Sequence, residues 1–166
     1  MKTLVLAFLC LLTGICTAQD ADIIERSLTA DASREQRLAD GTEVVSQLAR
    51  LGIFAEDPNE RREYSSFYIP KKPISVLGAR LVSFEHEYAD EYLGCCVNPG
   101  NAVILQPAGA TADIEAFAQR NGCRYAVGDE IFVLPKSVTQ GLSDSERAAL
   151  VEVSCKDDYL FEAKKE

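Results

Sequence analysis

The first third of the chain places apolar residues at helical spacing. Ile23, Ile24 and Leu28 lie at helical spacing, and Leu38, Val45, Leu48 and Leu51 continue an apolar stripe at helical intervals. Ser33-Arg34-Glu35-Gln36 has the form of a capping box that opens a helix, and Gly52 is placed to end one. Asp40-Gly41 offers a point of division. The pattern predicts one or two helices within residues 19–54.

The middle of the chain alternates between apolar and polar residues. Tyr64 to Ile69 is rich in aromatic residues and predicts a short strand. In residues 74–88 the side chains are predicted to alternate between the two faces of a strand. Val82, Phe84, His86 and Tyr88 share one face, and Ser83, Glu85 and Glu87 share the other. This alternation predicts a half-exposed strand, with the acidic residues on a solvated strand edge. Gly78 marks a bulge or a break in it. Ala102 to Leu105 predicts a further apolar strand.

The last third combines helix and strand signals. Thr111 to Asn121 predicts a helix, with Thr111 as its cap and Gly122 as its stop. Two strands joined by a turn at Gly128-Asp129 are predicted next, at residues 124–127 and 130–134. Ser143-Asp144-Ser145-Glu146 forms a capping box, and it predicts a C-terminal helix that carries Leu150, Val151 and Val153.

This order of elements predicts an α+β fold. We expect a mainly antiparallel sheet with N-terminal helices, one central helix and one C-terminal helix. A single domain is predicted over residues 19–166, with a helical region at 19–54 and a sheet with two helices at 63–161.

Residues 1–18 have the three-part form of a secretory signal peptide. Lys2 supplies the positive charge, Leu4 to Gly14 is apolar, and Cys16-Thr17-Ala18 places small residues before a cleavage point. The apolar run is about half the length that crosses a bilayer, so no stable membrane anchor is expected. N-x-S/T sequons are absent, which favours a bacterial envelope protein. We therefore predict a periplasmic or secreted protein that is cleaved near Ala18.

The composition narrows the classes of function. The net charge is −9, and loss of Lys2 with the signal would make it −10. A field of this sign repels phosphate backbones and anionic lipids, so nucleic acid and membrane surfaces are disfavoured as partners, whereas a cationic protein is favoured. His86 is the only histidine of the chain, which excludes multi-histidine metal sites and HExxH chemistry. No cofactor, metal site or catalytic residue is predicted.

Four cysteines remain after cleavage, and their even number in an exported chain predicts two disulfides. Adjacent residues of a strand point to opposite faces. Cys95 and Cys96 would therefore reach different partners, namely Cys123 after the central helix and Cys155 in the last helix. Which cysteine of the doublet takes which partner stays open. A bond between Cys95 and Cys96 themselves is the third pairing, and ordinary disulfide geometry disfavours it.

The densest polar cluster surrounds the single histidine, and it is the candidate binding surface: Glu85, His86, Glu87, Asp90 and Glu91. His86 is a candidate general base, and the carboxylates are candidate ligands of a hard cation. Alternation, however, places Glu85 and Glu87 opposite His86.

These features lead us to expect an exported, small, acidic binding or inhibitor module of the cell envelope, without enzymatic activity. It would neutralise a cationic toxin or wall-degrading enzyme. The alternative is a thiol- or metal-handling envelope protein that uses Cys95 and Cys96. A hydrolase built around His86 is a third hypothesis.

Overall fold

The computed structural model describes residues 15–31, 33, 36–88 and 99–156. Within them the fold is α+β, as the sequence predicts. The helices are α1 (Ile15–Leu28), α2 (Gly41–Arg50), α3 (Ala112–Arg120), α4 (Lys136–Thr139) and α5 (Asp144–Ala148). The strands are β1 (Ala30–Asp31), β2 (Gln36–Arg37), β3 (Glu60–Arg62), β4 (Ser65–Tyr68), β5 (Ser75–Val76), β6 (Ala79–Glu87), β7 (Gly100–Gln106), β8 (Arg124–Val127) and β9 (Val151–Lys156).

A seven-stranded sheet forms the centre of the structure. Its strands follow the order β3-β4-β6-β7-β9-β8, and β5 pairs with the start of β6. Every neighbouring pair is antiparallel. A separate two-stranded ladder joins β1 to β2. The two longest strands, β6 and β7, therefore lie in the interior of the sheet.

The helices α1, α2 and α3 cover one face of this sheet. The larger core lies between them and includes Ile24, Leu28, Val44, Leu48, Phe84, Val103, Ile114 and Val153. A smaller core lies on the other face and consists of Val82, Ile104, Ala126, Ile131, Val138 and Leu150. Burial of these apolar side chains on both faces is the main stabilising contribution to the fold.

The N-terminal region differs in part from its prediction. The prediction of a helix that begins at the Ser33 capping box is wrong, because Gln36 and Arg37 form β2 and pair with β1. The division at Asp40-Gly41 is confirmed. Asp40 caps α2 and accepts a hydrogen bond from the Thr42 backbone N–H over 2.7 Å, and Asp and Asn are among the best residues at this position.

The interior place of β6 contradicts the predicted solvated strand edge. This strand has β4 on one side and β7 on the other, so Glu85 and Glu87 lie on a central strand. The pairing with β7 also shifts between Leu81 and Ser83. This bulge adds a residue, so Val82 belongs to the smaller core whereas Phe84 belongs to the larger one. The prediction that these two side chains share a face is therefore wrong.

The C-terminal part of the chain agrees with its prediction in some elements and differs from it in others. The strand at residues 124–127 and the helix after Thr111 are confirmed, and the Ser143 capping box is present. The strand at residues 130–134 is not formed, because β8 pairs with β9 instead. The last helix ends at Ala148, and Val151 and Val153 lie in β9, where both are fully buried.

One disulfide occurs among the described residues, and it joins Cys123 to Cys155. The prediction that each of them bonds to one cysteine of the doublet is therefore wrong. The physical reason is that Cys155 lies in β9 rather than in a helix, with its side chain in the helix-covered core next to the end of α3. Cys95 and Cys96 lie outside the described residues.

The predicted signal peptide falls largely on residues 1–14, which lie outside the described part of the chain. Among the helices that are described, none combines the length and the apolar character that crossing a membrane requires. Cleavage near Ala18 stays a prediction.

Candidate functional site

A groove opens where the N-terminus of α2 meets the ends of β6 and β7. Its volume is about 590 Å³, which lies within the range of small-molecule sites. Thr42, His86, Tyr88 and Asn101 contribute to its lining. The groove therefore contains the single histidine, which the sequence had marked as a candidate.

His86 is held by hydrogen bonds at both ring nitrogens. Its Nδ1 lies 3.1 Å from Oδ1 of Asn101, and its Nε2 lies 3.4 Å from Oγ1 of Thr42. The ring also stacks on Tyr88, with 5.5 Å between the ring centroids. These contacts fix the imidazole in one orientation on the floor of the groove.

The hydrogen bonds of Asn101 determine which nitrogen of His86 carries the proton. The Nδ2 group of Asn101 donates to the backbone carbonyl of Ser27 at 3.4 Å, so its Oδ1 faces the imidazole as an acceptor. In neutral His86 the proton must then lie on Nδ1, and the lone pair on Nε2 points to the Thr42 hydroxyl. Asn101 is 3% exposed, so its amide is shielded from water.

Gly41 allows α2 to approach the sheet this closely. A Cβ atom at this position would overlap both the His86 ring and the Asn101 amide. The first turn of α2 therefore lies directly against the hydrogen-bonded pair. This close packing brings the Thr42 hydroxyl within 3.4 Å of Nε2 of His86.

Glu85 and Glu87 lie on the opposite face of β6, as the alternation predicts. Lys156 Nζ donates to Glu85 Oε1 over 3.1 Å and to Glu87 Oε2 over 2.7 Å. Ser65 also donates to Glu85 Oε1 over 2.7 Å. Because these carboxylates bind a buried lysine of β9, they do not converge on His86.

A second ion pair lies on the same face, where Arg124 Nη2 contacts Glu152 Oε2. Glu152 is 3% exposed. Burial raises the pKa of its carboxyl above the ordinary value of 4.5, and the nearby Arg124 opposes that rise without cancelling it. The face opposite the groove thus holds buried, paired charges.

Arg37 forms one wall of the groove and connects three elements. Its guanidinium donates to the backbone carbonyls of Leu28, Asn121, Gly122 and Lys156 at 2.6–3.4 Å. Some of these carbonyls lie at the C-terminal ends of α1 and α3, where they accept no hydrogen bond from within the helix. The positive charge of Arg37 is thus directed into the protein.

Exposed carboxylates lie at the rim of the groove. Asp40 and Glu43 line it and are both exposed. The groove therefore presents negative charge to solvent.

Two residues of the predicted binding surface, Asp90 and Glu91, lie outside the described residues. Within residues 15–31, 33, 36–88 and 99–156, no group of three or more His, Cys, Asp or Glu side chains is arranged to hold a metal ion.

Sequence reasoning missed Thr42 and Asn101. Asn101 directly precedes the apolar run 102–105, so a polar residue at the start of a buried strand was the available signal. The sequence also gave no warning of Phe132, whose side chain is 89% exposed.

Comparisons of this chain with protein-family models, with curated proteins and with solved structures give no match.

Proposed function

We propose that this protein is an exported binding or inhibitor module of the cell envelope whose groove binds a basic segment of a cationic partner. A toxin or a wall-degrading enzyme is the class of partner that fits. The observation that carries the proposal is the charge at the rim, where the exposed carboxylates of Asp40 and Glu43 face solvent.

Among the described residues that line the groove, the two rim carboxylates outnumber the one cation, Arg37. Arg37 directs its guanidinium to backbone carbonyls, and Lys156 binds Glu85 and Glu87 on the other face of the sheet. The chain as a whole carries a net charge of −9. A basic ligand would be attracted over a distance and would then meet the two rim carboxylates.

The groove is also held in shape before any ligand arrives. Its floor lies on β6 and β7, one wall is the first turn of α2, and Arg37 connects its other wall to the end of α3. A preformed site lowers the ordering cost of binding, which suits an inhibitor.

The disulfide supports the exported part of the proposal. Cys123–Cys155 closes a loop of 32 residues in sequence, and such bonds persist mainly in oxidising compartments. The predicted signal peptide is consistent with the same location.

A charge-neutralising pair of variants tests the groove. We expect wild-type protein to bind a short oligolysine peptide and a basic muramidase at low salt, and to bind both more weakly at high salt. Asp40→Asn with Glu43→Gln should weaken binding about tenfold, because two rim charges are lost while Asn still caps α2. Titration calorimetry measures the affinity.

The matched control removes two charges elsewhere. Asp113 and Glu115 are exposed in the first turn of α3, and Asp113→Asn with Glu115→Gln changes the net charge equally. We expect this variant to lose less than about twofold. Equal losses in both double variants would show that only net charge matters, and an absence of binding by wild type at low salt would contradict the proposal altogether.

One observation favours a second candidate function, thiol chemistry at Cys95 and Cys96. Since Cys123 and Cys155 are bonded to each other, the doublet has no cysteine partner among them. A thiol- or metal-handling role would use this pair. Rapid reaction of two thiols in the oxidised protein, lost in Cys95→Ser with Cys96→Ser, would support it, and an absence of reactive thiols before and after mild reduction would exclude it.

A further inference from the structure

Thr42, His86 and Asn101 share the connectivity of a nucleophile, a general base and the group that orients the base. The hydroxyl of Thr42 lies 3.4 Å from Nε2, and the amide oxygen of Asn101 lies 3.1 Å from Nδ1. Such a linear arrangement of hydroxyl, imidazole and acceptor is the recurring signature of covalent acyl transfer.

We propose that the groove cleaves carboxylic esters, with Thr42 as the nucleophile and His86 as the general base. This inference goes beyond the proposed binding function and does not depend on it. Small neutral or cationic esters are the substrate class, because the groove holds about 590 Å³ and its rim carboxylates repel anions.

The tautomer of His86 is the reason that the arrangement suits this chemistry. Ser27 holds the amide of Asn101 through Nδ2, and Asn101 in turn holds the proton of His86 on Nδ1. The basic lone pair on Nε2 is thereby presented to the Thr42 hydroxyl without further rearrangement. Asn101 acts as a positioning residue, since it touches the base and not the substrate.

The first turn of α2 also places backbone N–H groups beside the Thr42 hydroxyl, which is exposed to the groove. The N–H of Thr42 itself donates to Asp40 Oδ1 over 2.7 Å, whereas the other N–H groups of this turn point out of the helix without an acceptor within it. A tetrahedral oxyanion formed on the substrate beside Thr42 would accept hydrogen bonds from these remaining groups, and they would have to outweigh the repulsion from Asp40 and Glu43.

The reaction balances in two steps. Oγ1 of Thr42 attacks the ester carbonyl, its proton passes to Nε2 of His86, and the bond from the carbonyl carbon to the leaving oxygen breaks as that oxygen takes the proton. This leaves an acyl ester on Thr42. Water then attacks the acyl carbon, gives a proton to His86, and releases the carboxylic acid while Thr42 recovers its hydrogen.

Hydrolysis of 4-nitrophenyl acetate by the intact chain tests the proposal. We expect Thr42→Val and His86→Gln each to reduce the rate at least about tenfold, because each removes a reacting group, and Thr42→Ser to retain activity. Thr139, in α4 and outside the lining of the groove, provides the matched control. Thr139→Val should hydrolyse at the wild-type rate.

The location of the acetyl group supplies a readout that a structural role would not change. Rapid acid quenching followed by peptide mass mapping should find acetylation on Thr42 in wild type and none there in Thr42→Val. A rate that falls in His86→Gln but not in Thr42→Val would mean direct attack by the imidazole, and it would overturn the proposal. Activity lost in Cys95→Ser with Cys96→Ser and kept in Thr42→Val would overturn it too.

Asn101 is tested by rescue and by a pH profile. Asn101→Asp keeps the acceptor and adds a charge, so it should retain more activity than Asn101→Leu and shift the rate profile of His86 to higher pH. The titratable residues that line the groove with His86 are Arg37, Asp40, Glu43, Glu87 and Tyr88, and of these Glu87 directs its carboxylate to Lys156 on the other face of the sheet. Equal activity in the two Asn101 variants, or no hydrolysis by wild type above buffer, would contradict the proposal.

Discussion

Arg37 Nη1 donates a hydrogen bond to the backbone carbonyl of Asn121 over 2.6 Å, although the two residues are 84 positions apart. Arg37 is 9% exposed, and its planar guanidinium reaches several carbonyls at once. A lysine has one charged centre and cannot reproduce this geometry.

The first prediction concerns this arginine. Arg37→Lys should lower the free energy of unfolding by about 2–4 kcal/mol, because buried carbonyls at the end of α3 lose their donors. Urea denaturation measures the loss. Arg61 is exposed on β3, and Arg61→Lys should change stability by less than about 0.5 kcal/mol. Similar losses of stability in the two variants would show that the hydrogen bonds from the Arg37 guanidinium to these carbonyls do not stabilise the fold.

The second prediction reverses a usual rule of helix propensity. Ala is normally about 1 kcal/mol better than Gly inside a helix. At Gly41, however, a Cβ would overlap His86 and Asn101, so Gly41→Ala should destabilise the protein by about 1–3 kcal/mol. It should also move the His86 ring signals in an NMR spectrum. Gly109 has open space around it, and Gly109→Ala should leave both stability and the His86 signals close to wild type.

The third prediction concerns the cross-link. Cys123→Ser with Cys155→Ser should lower stability by about 3–4 kcal/mol, since the bond closes a sequence separation of 32 residues. Denaturant unfolding under non-reducing conditions measures the change. Peptide mapping of the unreduced wild type should recover one peptide pair joined through Cys123 and Cys155. A pair that joins either cysteine to the doublet would contradict the structure.

The fourth prediction follows from the raised pKa of Glu152. The folded state holds this proton more tightly than the unfolded chain does. The resulting stabilisation is complete below the unfolded pKa and is lost as the pH rises through the raised folded value. Glu152→Gln cannot titrate, so its stability relative to wild type should increase as the pH rises above the ordinary carboxyl pKa of 4.5. Urea titrations at several pH values test this.

An exposed carboxyl supplies the control for that experiment. Glu115 is exposed on α3, and Glu115→Gln controls for the loss of one carboxylate that is not buried. A difference between Glu152→Gln and wild type that is constant with pH would show that Glu152 does not titrate differently in the two states.

The sequence predicts those elements whose signals are local. The capping box at Ser143, the helix stop at Gly122 and the Asp40-Gly41 boundary depend on hydrogen bonds and backbone angles within a few residues, and all three are present. Gly122 has a positive φ of 57°, which suits a residue that ends a helix.

Elements that depend on distant partners were predicted less well. Leu150, Val151 and Val153 follow a helix start and match helical spacing, yet pairing with β7 and β8 places the last two in a strand. The turn at Gly128-Asp129 predicts a strand at residues 130–134 beside β8, but such a local rule cannot detect that β9 takes this position.

For the same reason, only part of the groove can be predicted from the sequence. His86 was identified by its rarity, but Asn101 lies 15 residues away and Thr42 lies 44 residues away. Neither spacing follows a periodic pattern, because both contacts are made by sheet pairing and by the docking of α2. Alternation along β6 did correctly separate Glu85 and Glu87 from His86.

The position of β9 between β7 and β8 also governs when the molecule can fold during synthesis. Until Val151–Lys156 has left the ribosome, β7 lacks one neighbour and β8 has no strand to join. The central core must therefore wait for β9 before it closes. Such a delay keeps the sheet incomplete until β9 emerges.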